Sequence, residues 1–357
     1  MIRMRIVVFV VSAIIASLFL NCVGIGPGTV DRDRFDYVNA ISNSWKKQML
    51  LNLVKTRYVD SPVFMDVTSI ISQYAIEGQI NVGTTLRVDS ILGDSYSLGG
   101  SGKYTDRPTI TYSPLMGEKF TRSLMTPIPV NAFLSMIQAE YPVDYMFRIC
   151  VQTINGIENQ FGGEGMARSA HPDFYRLIDA MRRIQKKGAL GMRVKRLEQK
   201  KTTVIFFRRD YSDEMAEDIK TVWQILDLDT GVQEYNVVYG AYPADNNEIA
   251  ILTRSMLQIV IDLASAIDVP KKDVREGRVS ASTFDEKAPG LPPLIRIRNG
   301  NSPPDDAFVS VKYRNNWFWI EDTDLHSKRS FTFLMMLFSL TESDAKAKAP
   351  IVTVPTD

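Results

Sequence analysis

Residues 67–88 read VTSIISQYAIEGQINVGTTLRV. Val67, Ile70, Ile71, Tyr74, Ile76, Ile80, Val82, Leu86 and Val88 lie in stretches rich in β-branched residues, punctuated by Gly78, Gly83 and Gly93. A branched Cβ crowds the turns of a helix and packs well on a pleated strand, so the stretch predicts strands. Thr109-Ile110-Thr111-Tyr112 reads as another. Together 63–113 predict an antiparallel meander of three or four strands.

Upstream, Val38, Ile41, Trp45, Met49 and Leu53 recur at steps of three and four, which predicts a helix over 36–58 with one apolar stripe. Downstream, Pro127, Pro129 and Pro142 divide 117–155 into three short helices, the last running through Tyr145, Ile149, Val151 and Ile154. Cys150 falls among apolar neighbours there and reads as a buried, inert thiol. Residues 161–170, FGGEGMARSA, hold three glycines and predict a boundary. Beyond it come a helix at 173–187, a hairpin at 192–208, a helix at 212–226 and a strand at 234–239. A long helix at 247–267 carries Ile249, Leu252, Met256, Ile259, Leu263 and Ile267 on one face and Arg254, Gln258 and Asp262 opposite. Strands at 294–298, 308–313 and 317–320, a helix at 325–340 and an edge strand at 351–354 complete the pattern. Strands and helices mix without regular βαβ alternation. The expectation is therefore α+β with mostly antiparallel strands, as one large or two packed subdomains, 35–160 and 171–357.

The 357 residues are 45% hydrophobic and 23% charged, an ordinary globular composition. Lys and Arg number 42 against 41 Asp and Glu, a formal charge of +1. Such a balance exerts no global pull on nucleic acid, and no nucleic-acid partner is expected. Two cysteines allow no disulfide framework, and two histidines are too few for a multi-histidine zinc site, so no metal or other cofactor is expected.

At the N-terminus, Arg3 and Arg5 precede IVVFVVSAIIASLFL at 6–20, followed by Asn21 and Cys22. The apolar run is shorter than the roughly 20 residues that span a bilayer, and the basic flank fits a secretory signal over 1–21. Phe19-Leu20-Asn21-Cys22 resembles the lipobox of bacterial lipoproteins, with Phe19 and Asn21 departing from its usual Leu and small residue. The resemblance implies a lipid on Cys22, which makes the membrane the first partner. No aspartate follows Cys22, which implies the outer membrane. The small residues after Cys22, within 22–34, read as a flexible tether. The body as a whole is similar to bacterial lipoproteins rather than to an enzyme family.

Candidate chemistry is thin. Gly99-Gly100-Ser101-Gly102-Lys103 has neither the first glycine nor the following Ser or Thr of a phosphate loop and reads as a glycine-rich hairpin loop. Asp210, Asp213, Glu214, Glu217 and Asp218 open a helix, where acids cap free N–H groups and favour the dipole. Arg182, Arg183, Lys186, Lys187, Arg193, Lys195 and Arg196, with Lys200 and Lys201, make a candidate patch for anionic glycans or lipid headgroups. Trp317 and Trp319 share a strand face, as core or, if exposed, as a platform for a sugar or an envelope protein partner. His171 reads as structural. His326 stands beside Asp324 as a base beside an orienting group would, with no nucleophile at a telling spacing. The expected function is a lipid-anchored, non-enzymatic scaffold or binding protein of the cell envelope. The alternative is an envelope hydrolase that uses paired carboxylates.

Overall fold

The computed structural model describes residues 25–71, 74–85, 95–106, 109–163, 167–197, 200–208, 213–281 and 293–342. The signal segment 1–21, Cys22 and the expected strand at 351–354 lie outside the described residues. The chain is α+β, and its contacts divide it into two units, 1–44 with 65–114, and 45–64 with 115–357.

Helix α1 runs Ile25–Arg57. The expected tether is thus helical from Ile25. Propagation from an existing helix adds one hydrogen bond per residue fixed, and Pro27 sits in the first turn, where its missing N–H costs nothing. The predicted stripe is buried only in part. Met49, Leu50, Leu53 and Val54 are fully buried, whereas Phe35 and Val38 are exposed.

The first unit contains strands β1 (Met65–Ile71), β2 (Tyr74–Thr85), β3 (Ser95–Asp106) and β4 (Thr109–Pro114). They do not form the expected meander. β2 pairs with β3 and β1 with β4, giving two antiparallel ladders of two strands each. The phosphate-loop look-alike at 99–103 lies within β3 and is not a loop.

The second unit is built on a six-stranded sheet. Its strands are β5 (Val151–Ile154), β6 (Ile157–Glu158), β7 (Leu190–Leu197), β8 (Lys200–Phe207), β9 (Glu234–Tyr239) and β10 (Glu248–Thr253), in the order β6-β5-β10-β9-β8-β7. All neighbours are antiparallel except β9 and β10. Strands from both sides of 161–170 join this sheet, so that glycine-rich segment connects parts of one unit. Val151 and Ile154, expected on a helix, belong to β5. The preceding helices are α2 (Val130–Gln138) and α3 (Val143–Cys150). Asn155 at φ 44° and Gly156 at φ 79° turn β5 into β6. These left-handed values are the ones a two-residue hairpin requires, and Asn-Gly is its commonest sequence.

The helices α4 (Pro172–Lys186) and α5 (Asp213–Leu226) pack together, burying Leu177, Met181 and Ile184 from one and Ile219, Val222 and Leu226 from the other. The long helix expected at 247–267 is instead β10, a break at Arg254 and Ser255, and α6 (Met256–Ser265). Ser255 and Gln258 form a reciprocal capping box that starts α6. A short helix α7 (Lys271–Arg275) follows. Strands β11 (Arg298–Gly300), β12 (Val309–Tyr313) and β13 (Asn316–Ile320) make a three-stranded sheet in the order β11-β13-β12, and α8 (Leu325–Glu342) closes the described chain.

Candidate functional site

Three of the basic residues singled out by sequence, Arg182, Arg183 and Arg193, are engaged by the protein itself. Arg183 holds Asp218 through two nitrogens, with contacts of 2.7–3.0 Å, which also accounts for part of the acidic cluster on α5. Arg182 donates to Gln185 at 2.7 Å and lies 3.5 Å from Asp144. Arg193 pairs with Glu234 across the sheet and covers the Phe206 ring. Lys186 and Lys187 are exposed near the end of α4, where cations favour the helix dipole. Lys195 and Arg196 belong to β7 by backbone, and their side chains lie outside the described ones, as do those of Lys200 and Lys201 in β8.

The tryptophans do not form core. Phe318 and Ile320 are the residues of β13 that the core takes up, while Trp317 and Trp319 line the opposite, half-buried face. There the Trp319 ring lies against Gly300, where an added Cβ would stand 3.0 Å from it. The period of two assigned the pair to one face, but the choice of face needed the rest of the sheet.

Asp324 is no partner for a catalytic His326. It caps α8, accepting from the Ser327 backbone N–H at 3.0 Å and from its hydroxyl at 2.7 Å. Burial alone would raise its carboxyl. The bonds from Ser327, with Arg296 and His326 nearby, outweigh that and hold it below its ordinary value. His171 caps α4, accepting from the Asp173 N–H at 3.2 Å. Cys150 is fully buried, and burial pushes its thiol up to about 12.

The polar face expected on 247–267 became the most buried charge of the second unit. Arg254 and Asp262, 1% and 7% exposed, meet at 2.9 Å. Arg254 also donates to the carbonyls of Arg148, Ile149 and Gln160, and Asp262 accepts from the Gly162 N–H at 2.7 Å. The pair fastens α6 to the segment after β6. Beside it a cavity of about 220 Å³ is lined by Arg57, Gly162, Gly163, Ser265 and Ser280, with no carboxylate among its lining residues. Arg57 spans it to the Ser280 carbonyl at 2.7 Å. Among the described residues no cluster of three or more His, Cys, Asp or Glu is placed to hold a metal ion.

The first unit presents a different surface. The β1–β4 register sets Met65 against Pro114, Val67 against Tyr112 and Ile70 against Ile110. A shift after Val67 keeps these apolar pairs on one face, and Asp66, Ser69, Thr109, Thr111 and Ser113 share the other with Ile71, which opposes Thr109. That apolar face is open: Met65 is 44%, Ile110 41% and Tyr112 52% exposed. The β2–β3 register repeats the division. Ile76 opposes Tyr104, Ile80 opposes Gly100 and Val82 opposes Leu98, while Glu77 opposes Lys103, Gln79 opposes Ser101 and Asn81 opposes Gly99. Residues i and i+2 of a strand share a face, so one face of the ladder is mostly apolar or glycine, with Asp106 opposite Tyr74 and Thr84 opposite Tyr96 at its ends, and the other is mostly polar. Glu77 and Lys103 lie 3.8 Å apart on the polar side. The alternation is visible in the sequence from Tyr74 onward, but only the register shows that both strands put their apolar residues on the same side.

No family model matches the chain, and neither the curated proteins nor the solved structures contain a match.

Proposed function

We propose that this chain is a non-enzymatic, lipid-anchored protein of the bacterial envelope, held at the outer membrane by acyl chains on Cys22 and touching the bilayer a second time through the ribbon of residues 65–114. The observation that carries the reading is the open apolar face of the β1–β4 ladder. A water-soluble two-stranded ladder with one apolar face is marginal unless that face is covered. Lipid hydrocarbon covers such a face without any further protein. No helix among the described residues is long and apolar enough to cross a membrane.

Two measurements test the reading. The intact mass of membrane-extracted protein is expected to show loss of 1–21 and gain of a diacylglyceryl group, absent in Cys22→Ser. Protein made without residues 1–22 is then expected to float with phosphatidylcholine vesicles, and the same protein with Ile110→Asp and Tyr112→Asp to remain in the aqueous fraction. A full-length, unmodified mass removes the anchor; equal flotation of both variants removes the role of the ribbon.

A further inference from the structure

The three-stranded sheet β11-β13-β12 turns one face to the core and one away from it. Val309, Val311, Phe318 and Ile320 are buried on the first. The register fixes the second. Trp319 lies between Arg298 and Ser310, and Trp317 between Gly300 and Lys312. Residues i and i+2 of a strand stand about 7 Å apart on the same face, so the two half-buried indoles form one strip along β13. Gly300 shapes that strip. The far edge of the Trp319 ring, Cη2 and Cζ3, lies 3.0 and 3.3 Å from where a Cβ on Gly300 would stand. The indole therefore lies across β11, in space that any side chain at 300 would contest.

The rim of the strip is polar. Arg298 and Glu321 lie 3.7 Å apart beside Trp319, both in part exposed. Lys312 is exposed beside Trp317 and makes no ion pair among the described residues. A flat apolar centre with charges and a hydroxyl around it is the complement of a pyranose ring, which carries C–H groups on its faces and hydroxyls at its edge. Two cations against one carboxylate favour an anionic ligand. The size of the strip argues the same way. A stable protein interface covers about 800 Å² on each side, and an indole side chain buries only about 150–250 Å². A sugar strand needs no more than the strip. Taking the envelope reading as its premise, we infer that Trp317 and Trp319 bind an acidic glycan, the glycan strand of peptidoglycan, with one pyranose ring on each indole and a stem-peptide carboxylate against Lys312.

The test titrates the membrane-extracted protein, in mild detergent, by calorimetry. One ligand is soluble peptidoglycan strands that keep their stem peptides, and the other is chitohexaose, a neutral chain of N-acetylglucosamine. The expected result is saturable binding of the strands that weakens with added salt, and weaker, salt-independent binding of chitohexaose. Trp317→Ala and Trp319→Ala are each expected to weaken strand binding at least ~tenfold, and Trp317→Tyr, which keeps a stacking ring, by only about threefold. Lys312→Gln is expected to bring the strands down to the affinity of chitohexaose. A melting temperature within a few degrees of the parent shows that an alanine variant is folded. Gly300→Ala keeps both indoles and displaces one, so it reads the strip even where an alanine variant fails to fold; it is expected to weaken strand binding about threefold. The inference is overturned by no saturable binding of the strands, by unchanged affinity in a folded alanine variant, or by a concentration-dependent dimer of the parent that Trp319→Ala abolishes. Saturable binding with an unmodified intact mass keeps the glycan site and removes the lipid anchor; lipidated protein that binds no strand does the reverse.

Discussion

At the scale of single residues, Arg254 and Asp262 show how much rests on one buried contact. The cation has left water, and burial lowers its pKa, while Asp262 and three carbonyls replace the lost hydration. Arg254→Ala leaves Asp262 buried and unpaired, and is expected to destabilise the fold by about 3–5 kcal/mol in urea unfolding. Arg254→Met with Asp262→Leu is expected to recover only part of this, since the carbonyls and the Gly162 N–H then lack partners. Gly162 belongs to the same knot. A Cβ there would meet the Ser265 hydroxyl at 1.9 Å, so Gly162→Ala is expected to cost about 1–3 kcal/mol in the same assay. These residues were visible in the sequence as a polar stripe at helical spacing. Their burial was not, because a short apolar run fits a strand as well as a buried helix, and β10 is such a run.

Tyrosines give the same scale a pH dependence. Burial pushes the Tyr145 and Tyr235 hydroxyls up to about 12 in the folded chain. An unfolded tyrosine titrates near 10, so folding favours the neutral form. The contribution is full below about pH 10 and is lost as the pH rises toward 12, because the unfolded chain releases its protons first. The urea midpoint is expected to fall across that window, and absorbance at 295 nm to show these tyrosinates late. A midpoint independent of pH from 9 to about 12 would refute the assignment.

Elements obey their punctuation. Asp324 is the N-cap of α8. Its folded carboxyl lies below its unfolded value, so its contribution is present at neutral pH and is lost as the pH falls through the folded value. Asp324→Ala is expected to cost about 1 kcal/mol at pH 7 and less at pH 2, by thermal unfolding at both. The α4 entry at His171-Pro172, the α5 span and the hairpin of β7 and β8 were all legible, because caps, prolines and alternation act locally. Asn155-Gly156 was equally legible as a hairpin signal, yet the helical spacing of Tyr145 and Ile149 carried the expected helix past Cys150 into β5. β2 and β3 were legible as strands, but their pairing was not. Which strand lies beside which depends on chain reversal across residues far apart, and no local pattern distinguishes a meander from nested ladders.

For the whole molecule, the division into two units sets the expectations. In the second unit the Leu115 N–H donates to the Phe64 carbonyl at 2.8 Å, so the ends of the excursion through 65–114 are adjacent. Replacing Met65–Pro114 with a short Gly-Ser linker is expected to leave the second unit folded, with a melting temperature within a few degrees of the intact protein. Membrane insertion through the ribbon is expected to disappear. Loss of cooperative melting in that variant would show that the core of the second unit depends on the first.

The adjacency of Phe64 and Leu115 also bears on how such a protein adapts. The entropy of closing a loop grows only with the logarithm of its length, about 0.6 kcal/mol for each doubling. A core that is pinched shut at 64 and 115 is therefore nearly indifferent to the length of what lies between. The excursion can gain or lose residues two at a time in each strand, preserving the alternation of faces, without disturbing the closure at 64 and 115. Its length becomes a property that evolution, or an engineer, can retune without repacking the interior.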